Sequence, residues 1–212
     1  MAEDLLIPAM KNSLIREWDG TIEELLEVSL DSILEEGLLR DIPIVGTVNA
    51  ICKTGVRIRE KHLIKETLLF IKALNEGQIS KEKVQRYKEM LDSDSERAEK
   101  ELERILLILD SHISSSQSIR LGHFYKTYVN NAISWDKFSE LMQANQRIFE
   151  EDVNSLLGLK KGLELKGSYK GLRLSSLGLI KIKEHTLVDK TLILSNQDYE
   201  LTGFGKMFLQ HM

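Results

Sequence analysis

The sequence predicts a mainly α-helical protein: a helical bundle or stack of helical hairpins over residues 1–157, closed by a small α+β tail over 158–212 that contains one β-hairpin. Three observations point there. Only two prolines, Pro8 and Pro43, interrupt 212 residues that are 42% hydrophobic and 6% aromatic, a balance that favours helix over a strand-rich sandwich. Apolar residues from Val84 to Leu109 recur every three, four or seven positions, the period of a helix face. Gly158, Gly162, Gly167, Gly171 and Gly178 then crowd one stretch, which marks a change of architecture near residue 158.

Charge is unevenly spread. The net charge is −4, which argues against indiscriminate nucleic-acid binding by the whole chain. Residues 1–40 hold ten acids and three bases, 41–75 hold six bases and three acids, and 158–183 hold seven bases and one acid, Glu164. Glu3 and Asp4 stand where a secretory signal would be basic. Cys52 is the single cysteine, so the chain can form neither an internal disulfide nor a cysteine-based zinc site. A reducing, cytoplasmic setting fits these features.

Taken in order, Met1 to Trp18 is short and amphipathic, with Pro8 suited to a helix start. Thr21 and Glu24 have capping-box spacing, so an acidic helix is expected from there to Gly37. Asp41-Ile42-Pro43 favours an extended approach. It opens the uncharged run Ile42 to Cys52, which passes into a basic amphipathic segment from Lys53 to Leu74. A bilayer span needs roughly 20 apolar residues, so the run is too short for a simple transmembrane helix. It reads either as core or as an element that meets a membrane surface or a partner helix.

Ser80, with Ile79 stapling onto Val84, should start a helix of about thirty residues reaching Ile113. Its heptad-like seam of Val84, Tyr87, Leu91, Ala98, Leu102, Ile105 and Leu109 suits self-association. His112 to Ser118 reads as a polar turn, and Ile119 to Val129 as a shorter helix carrying Phe124, Tyr125 and Tyr128. Ser134 repeats the capping device for a helix running through Phe138, Leu141, Met142, Ile148, Phe149, Val153, Leu156 and Leu157. Leu172 to Ile182 fits a helix or a strand equally. Thr191 to Leu194 and Tyr199 to Thr202 read as a β-hairpin, followed by a terminal helix from Lys206 to His211.

No pattern carries chemistry. His62, His112, His123, His185 and His211 share no metal-ligand spacing, and they read as scattered surface or partly buried side chains. Cys52 lies in an apolar context where a thiol is inert packing. There is no GxSxG elbow and no phosphate loop; Gly158-Leu159-Lys160-Lys161-Gly162 lacks both the spacing and the Ser/Thr. The sequence therefore implies no cofactor, no metal, no evident small-molecule substrate and no enzyme.

Tyr199-Glu200-Leu201-Thr202-Gly203-Phe204-Gly205-Lys206-Met207-Phe208 resembles the end of the wing in winged helix-turn-helix domains, where an LT-x-x-G signature closes the second wing strand. Leu201, Thr202 and Gly205 match it, and the resemblance covers about fifty residues. It implies either a DNA-binding regulator or a winged-helix-like module used for protein contact. Lys160, Lys161, Lys166, Lys170 and Arg173, with Lys181 and Lys183, would supply phosphate contacts. The segment Leu172 to Ile182, however, is mostly Leu, Gly and Ser rather than residues that read bases. The whole chain also resembles a group of small bacterial proteins in which an Ile-Pro-Ile/Val segment and a basic helix precede a helical hairpin and an LT-x-x-G tail. That resemblance implies membrane-proximal or antiphage-defence roles without assigned chemistry.

The leading expectation is a non-enzymatic bacterial interaction or effector-type protein. Its contact surface would be Val45, Val48, Ile51, Arg57, Arg59, Lys61 and Lys65, facing a membrane surface or a protein partner. The competing expectation is a nucleic-acid-binding regulator that uses the basic 158–183 segment.

Overall fold

A computed structural model describes residues 3–15, 42–51, 58–76, 81–165, 169–183 and 198–212. Among them are ten helices and a two-stranded antiparallel sheet. The chain falls into two compact units, 1–134 and 135–212. That division lies N-terminal to the glycine-rich change of composition at Gly158. Gly158 itself is helical.

The first unit contains α1 (Glu3–Ile15), α2 (Pro43–Ile51), α3 (Ile58–Asn75), α4 (Lys81–Ser93), α5 (Ser95–Ser111) and α6 (Ser115–Val129). Pro8 lies inside α1 rather than at its start. Pro43 is the first residue of α2, where a proline has no hydrogen to miss and its φ is already helical. The Ser13 hydroxyl ties the two helices together: it donates to Ala9 O at 2.8 Å and accepts from Ile44 N at 3.0 Å. It thereby satisfies one of the amides that a helix start leaves open.

The most extensive helix pairing is α3 on α6. Phe70, Leu68 and Ile71 from α3 and Leu121, Phe124 and Tyr125 from α6 are all fully buried there. Tyr125 sits at the centre, its ring 5.5 Å from Phe70, 5.8 Å from Tyr87 and 5.7 Å from Tyr128. The two helices come this close because α6 carries Gly122 at the contact. A Cβ at Gly122 would stand 2.5 Å from Phe70 O and 2.7 Å from Ala73 Cβ.

The single long helix expected from Ser80 to Ile113 is two helices. They part at Asp94, whose backbone leaves the helical region (φ −136°, ψ 79°) while its carboxylate caps Arg97 N at 3.1 Å. Ser93-Asp94-Ser95 are residues whose short polar side chains compete for the backbone, so the break forms where they cluster. Tyr87, Leu91, Ala98, Leu102, Ile105 and Leu109 are all buried. The seam that suggested self-association is spent inside the unit. Ser80, Ile79, Cys52, the acidic stretch 16–41 and the basic start 53–57 lie outside the described residues.

The second unit runs α7 (Trp135–Arg147), α8 (Glu150–Lys160), α9 (Tyr169–Ser176), β1 (Ile180–Ile182), β2 (Tyr199–Leu201) and α10 (Gly203–His211). One helix was expected through Ile148 and Phe149, but the chain breaks there. Phe149 is extended (φ −83°, ψ 151°), and Glu150, Glu151 and Asp152 fill the first turn of α8. Three acids favour the positive end of a new helix over the middle of an old one. Leu172 to Ile182 is both of its alternatives in succession, helix to Ser176 and strand from Ile180.

Ile180 pairs with Leu201, Lys181 with Glu200 and Ile182 with Tyr199. The hairpin partner expected at Thr191 to Leu194 lies outside the described residues. The LT-x-x-G stretch has a local physical cause. Thr202 N donates to Leu179 O at 3.1 Å. The Thr202 hydroxyl donates to Gly178 O at 2.6 Å and accepts from Gly205 N at 2.9 Å, capping α10. Gly205 is required because Leu179 O occupies the place of a Cβ.

Candidate functional site

The surface expected over 42–65 is largely interior. Val45 is 0% and Val48 4% exposed, together with Ile42 and Ile44, because α2 lays its apolar side on α1. These valines are core side chains, which corrects their assignment to a contact surface. Ile51 ends α2, and Arg57 lies outside the described residues. Arg59 is exposed, but its guanidinium forks onto Asp110, with Nε 3.1 Å from both oxygens and Nη2 bonded to Oδ2. That hydrogen bond holds the Asp110 carboxyl below its ordinary range. Lys61 and Lys65 are half-buried on α3. Beside α2, a groove of about 470 Å³ is lined by Leu5, Pro8 and Asn12 of α1 and by Pro43, Gly46 and Ala50 of α2.

The basic positions of the second unit are also partly engaged. Lys160 and Lys161 are exposed, and Lys166 lies outside the described residues. Lys170 Nζ is 3.3 Å from Glu151. Arg173 forks onto Asp152, Nε to Oδ2 at 3.0 Å and Nη2 to Oδ1 at 2.8 Å, and its guanidinium lies 4.9 Å from the Phe149 ring centroid. Asp152 is 1% exposed, so Arg173 is the counter-ion of a buried carboxylate before it is anything else. Lys181 pairs with Glu200 across the sheet at 3.0 Å.

What α9 leaves open is apolar. Tyr169 is 84% and Leu172 45% exposed, and with Arg173 they share one helix face. Next to them a groove of about 400 Å³ runs along α8, lined by Glu151, Asn154, Gly158, Leu163, Glu164 and Lys170. Leu163 is itself 65% exposed.

The first unit holds a buried polar cluster that no sequence pattern announced. Glu66 of α3 is 2% exposed and accepts from the Ser118 hydroxyl at 2.7 Å and the Ser115 hydroxyl at 3.1 Å. Ser118 Oγ also meets His112 Nδ1 at 2.7 Å, and His62 Nε2 donates to His112 O at 2.8 Å. Gln117 Oε1 accepts from Ile113 N and Ser114 N, closing the α5–α6 turn. His112 is 3% exposed. Burial, followed by the nearby Arg120 and His62, pushes its imidazole down to about 4. The order is Glu–Ser–His, with the hydroxyl in the middle and fully buried. A nucleophilic triad needs the imidazole in the middle and an accessible hydroxyl, so this cluster is structural.

Among the described residues no group of three or more His, Cys, Asp or Glu could hold a metal ion, and no helix is long and apolar enough to cross a membrane. No family profile, curated protein or solved structure matches this chain.

Proposed function

We propose that this chain is a non-enzymatic protein-interaction protein that uses the α9 face of its second unit, with a second copy of the chain as the partner. The observation that carries the reading is how the charges of that face are spent. Lys170 and Arg173 answer Glu151 and Asp152, while Tyr169, Leu172 and Leu163 stand in solvent. Exposed aromatic and aliphatic side chains at a partly neutralised centre describe a protein interface better than a phosphate-binding one.

Lys160, Lys161, Glu150 and Glu164 are exposed as well, so the charges nearby are of both signs. Such a mixture suits a twofold pairing, in which each patch meets its own complement. The order of three helices, two strands and the LT-x-x-G closure supports a winged-helix-like reading of this unit. It also keeps duplex DNA as the alternative partner.

Sedimentation velocity from low to high micromolar concentration decides between them, run on the full chain and on Tyr169→Ser/Leu172→Ser, with and without a duplex. The expected result is a concentration-dependent dimer that the double variant loses. A monomer at every concentration, or salt-sensitive duplex binding abolished by reversing Lys160 and Lys161, overturns the proposal.

A further inference from the structure

We propose that the corner where α5 turns into α6 is an acid-sensitive latch: neutral His112 fastens the corner to the Ser118–Glu66 pair that joins α6 to α3, and protonation of its buried ring opens that fastening. The geometry fixes the proton positions. A carboxylate only accepts, so the Ser118 hydroxyl spends its single hydrogen on Glu66 Oε2. Ser118 Oγ can then only accept from His112, which puts the imidazole hydrogen on Nδ1. The other nitrogen, Nε2, keeps a bare lone pair, and it is buried with no hydrogen-bond partner among the described residues. An added proton must go there, where nothing receives it.

The surroundings oppose a charge as well. Facing His112 are His62 and Glu66 from α3, and Ser118 and Arg120 from α6. Asp110, two residues earlier on α5, is held by Arg59 of α3. Glu66 is the one carboxylate in the cluster, and Ser115 and Ser118 already bond it. Arg120 and a charged His62 both repel an imidazolium. Relief comes only when the ring reaches water, and that undoes the Ser118 link and frees the corner from the α6 start, while Ser115 and Ser118 still hold Glu66. His62 works the opposite way: it sits on α3, 3.9 Å from Glu66 Oε1 of the same helix, and its Nε2 donates to His112 O, a bond that a charged imidazole makes more strongly. The two histidines must therefore be separated in any test.

The experiment is hydrogen exchange of the full chain between pH 7 and pH 5, corrected for intrinsic exchange, reading the amides of 112–118 with the second unit as internal reference. With His112 near 4 when closed and near 6.5 when open, the open fraction rises roughly 20-fold over that range. His112→Asn keeps a donor toward Ser118 and removes the titrating nitrogen; the rise falls below about 3-fold. His62→Gln keeps the donor to His112 O and retains the wild-type rise. Unchanged protection in the wild type, or an equal rise in His112→Asn, overturns the proposal. An NMR titration of the wild-type ring needs no variant: at pH 5 the folded protein shows His112 neutral with a bare Nε2, whereas a ring titrating near 6.5 refutes the latch.

Discussion

Gly122→Ala is the sharpest probe of the first unit because two effects of known size oppose each other there. Alanine favours a helix over glycine by about 1 kcal/mol, so propensity alone predicts a more stable protein. The packing predicts the reverse. The new Cβ stands 2.5 Å from a backbone oxygen of α3, Phe70 O, and that atom cannot rotate away. Restoring an ordinary contact means parting α3 and α6 by roughly 1 Å. A gap of that size forfeits a quarter to a half of each dispersion contact across it; for roughly 40 atom pairs at about 0.15 kcal/mol each, the loss is about 2 kcal/mol. Residual crowding brings the cost to about 3 kcal/mol, the upper part of the usual overpacking range. The net is about 2 kcal/mol of destabilisation. For a unit of this size Tm drops by roughly 6–10 °C. Gly158→Ala is the contrast: helical glycine, same chemistry, but its Cβ meets Leu163 at an ordinary 3.5 Å. It should stabilise by up to about 1 kcal/mol. Thermal unfolding followed by circular dichroism reads both. A Gly122→Ala protein as stable as the wild type, or more so, would refute the close approach of α3 and α6.

Two further substitutions test the polar anchors. Tyr128→Phe removes a hydroxyl that donates to both oxygens of Glu101 at 3.2 Å, leaving that buried carboxylate with Arg97 at 2.9 Å; urea unfolding should show a loss of about 1.5–3 kcal/mol, and a change below 0.5 kcal/mol counts against the bond. Thr202→Val deletes the cap of α10 together with the link to Gly178 O. It should cost about 1–2 kcal/mol and weaken the β1–β2 amide protection, and unchanged protection would show that the closure does not depend on Thr202.

Helical character was legible where an apolar period followed a residue of capping type, as with Ser134 directly before the first residue of α7, and the LT-x-x-G stretch disclosed its turn because all of its partners lie within 27 residues. The helix breaks were harder. Asp94 and Phe149 interrupt seams that remain apolar on both sides, and a period reports which face is buried, not whether one axis or two carry it. The run Ile42 to Cys52 illustrates a deeper ambiguity. Burying Val45 and Val48 against α1 and burying them in lipid draw on the same hydrophobic transfer, so the residues themselves do not choose between core and membrane. The cluster of Glu66, His112 and Ser118 could not be read at all: Glu66 stands about fifty positions from its partners, and in the sequence it was one more acid on a helix.

Those buried acids bear on how the fold is specified. Leu and Ile seams are nearly non-directional, and two such helices can slide by one turn of about 5.4 Å while burying similar apolar area. Three buried carboxylates remove that freedom. Glu66 joins α3 to α6, Glu101 joins α5 to α6, and Asp152 joins α8 to α9, each through bonds to another helix. A one-turn slip at any of them strands a buried charge, which costs about 3–5 kcal/mol, a large fraction of the stability a domain has to lose. The correct alignment gains little from these pairs, since desolvation offsets most of their attraction. Their effect falls on the wrong alignments. In a chain whose apolar faces are this repetitive, the acids set the register that the hydrophobic residues leave open.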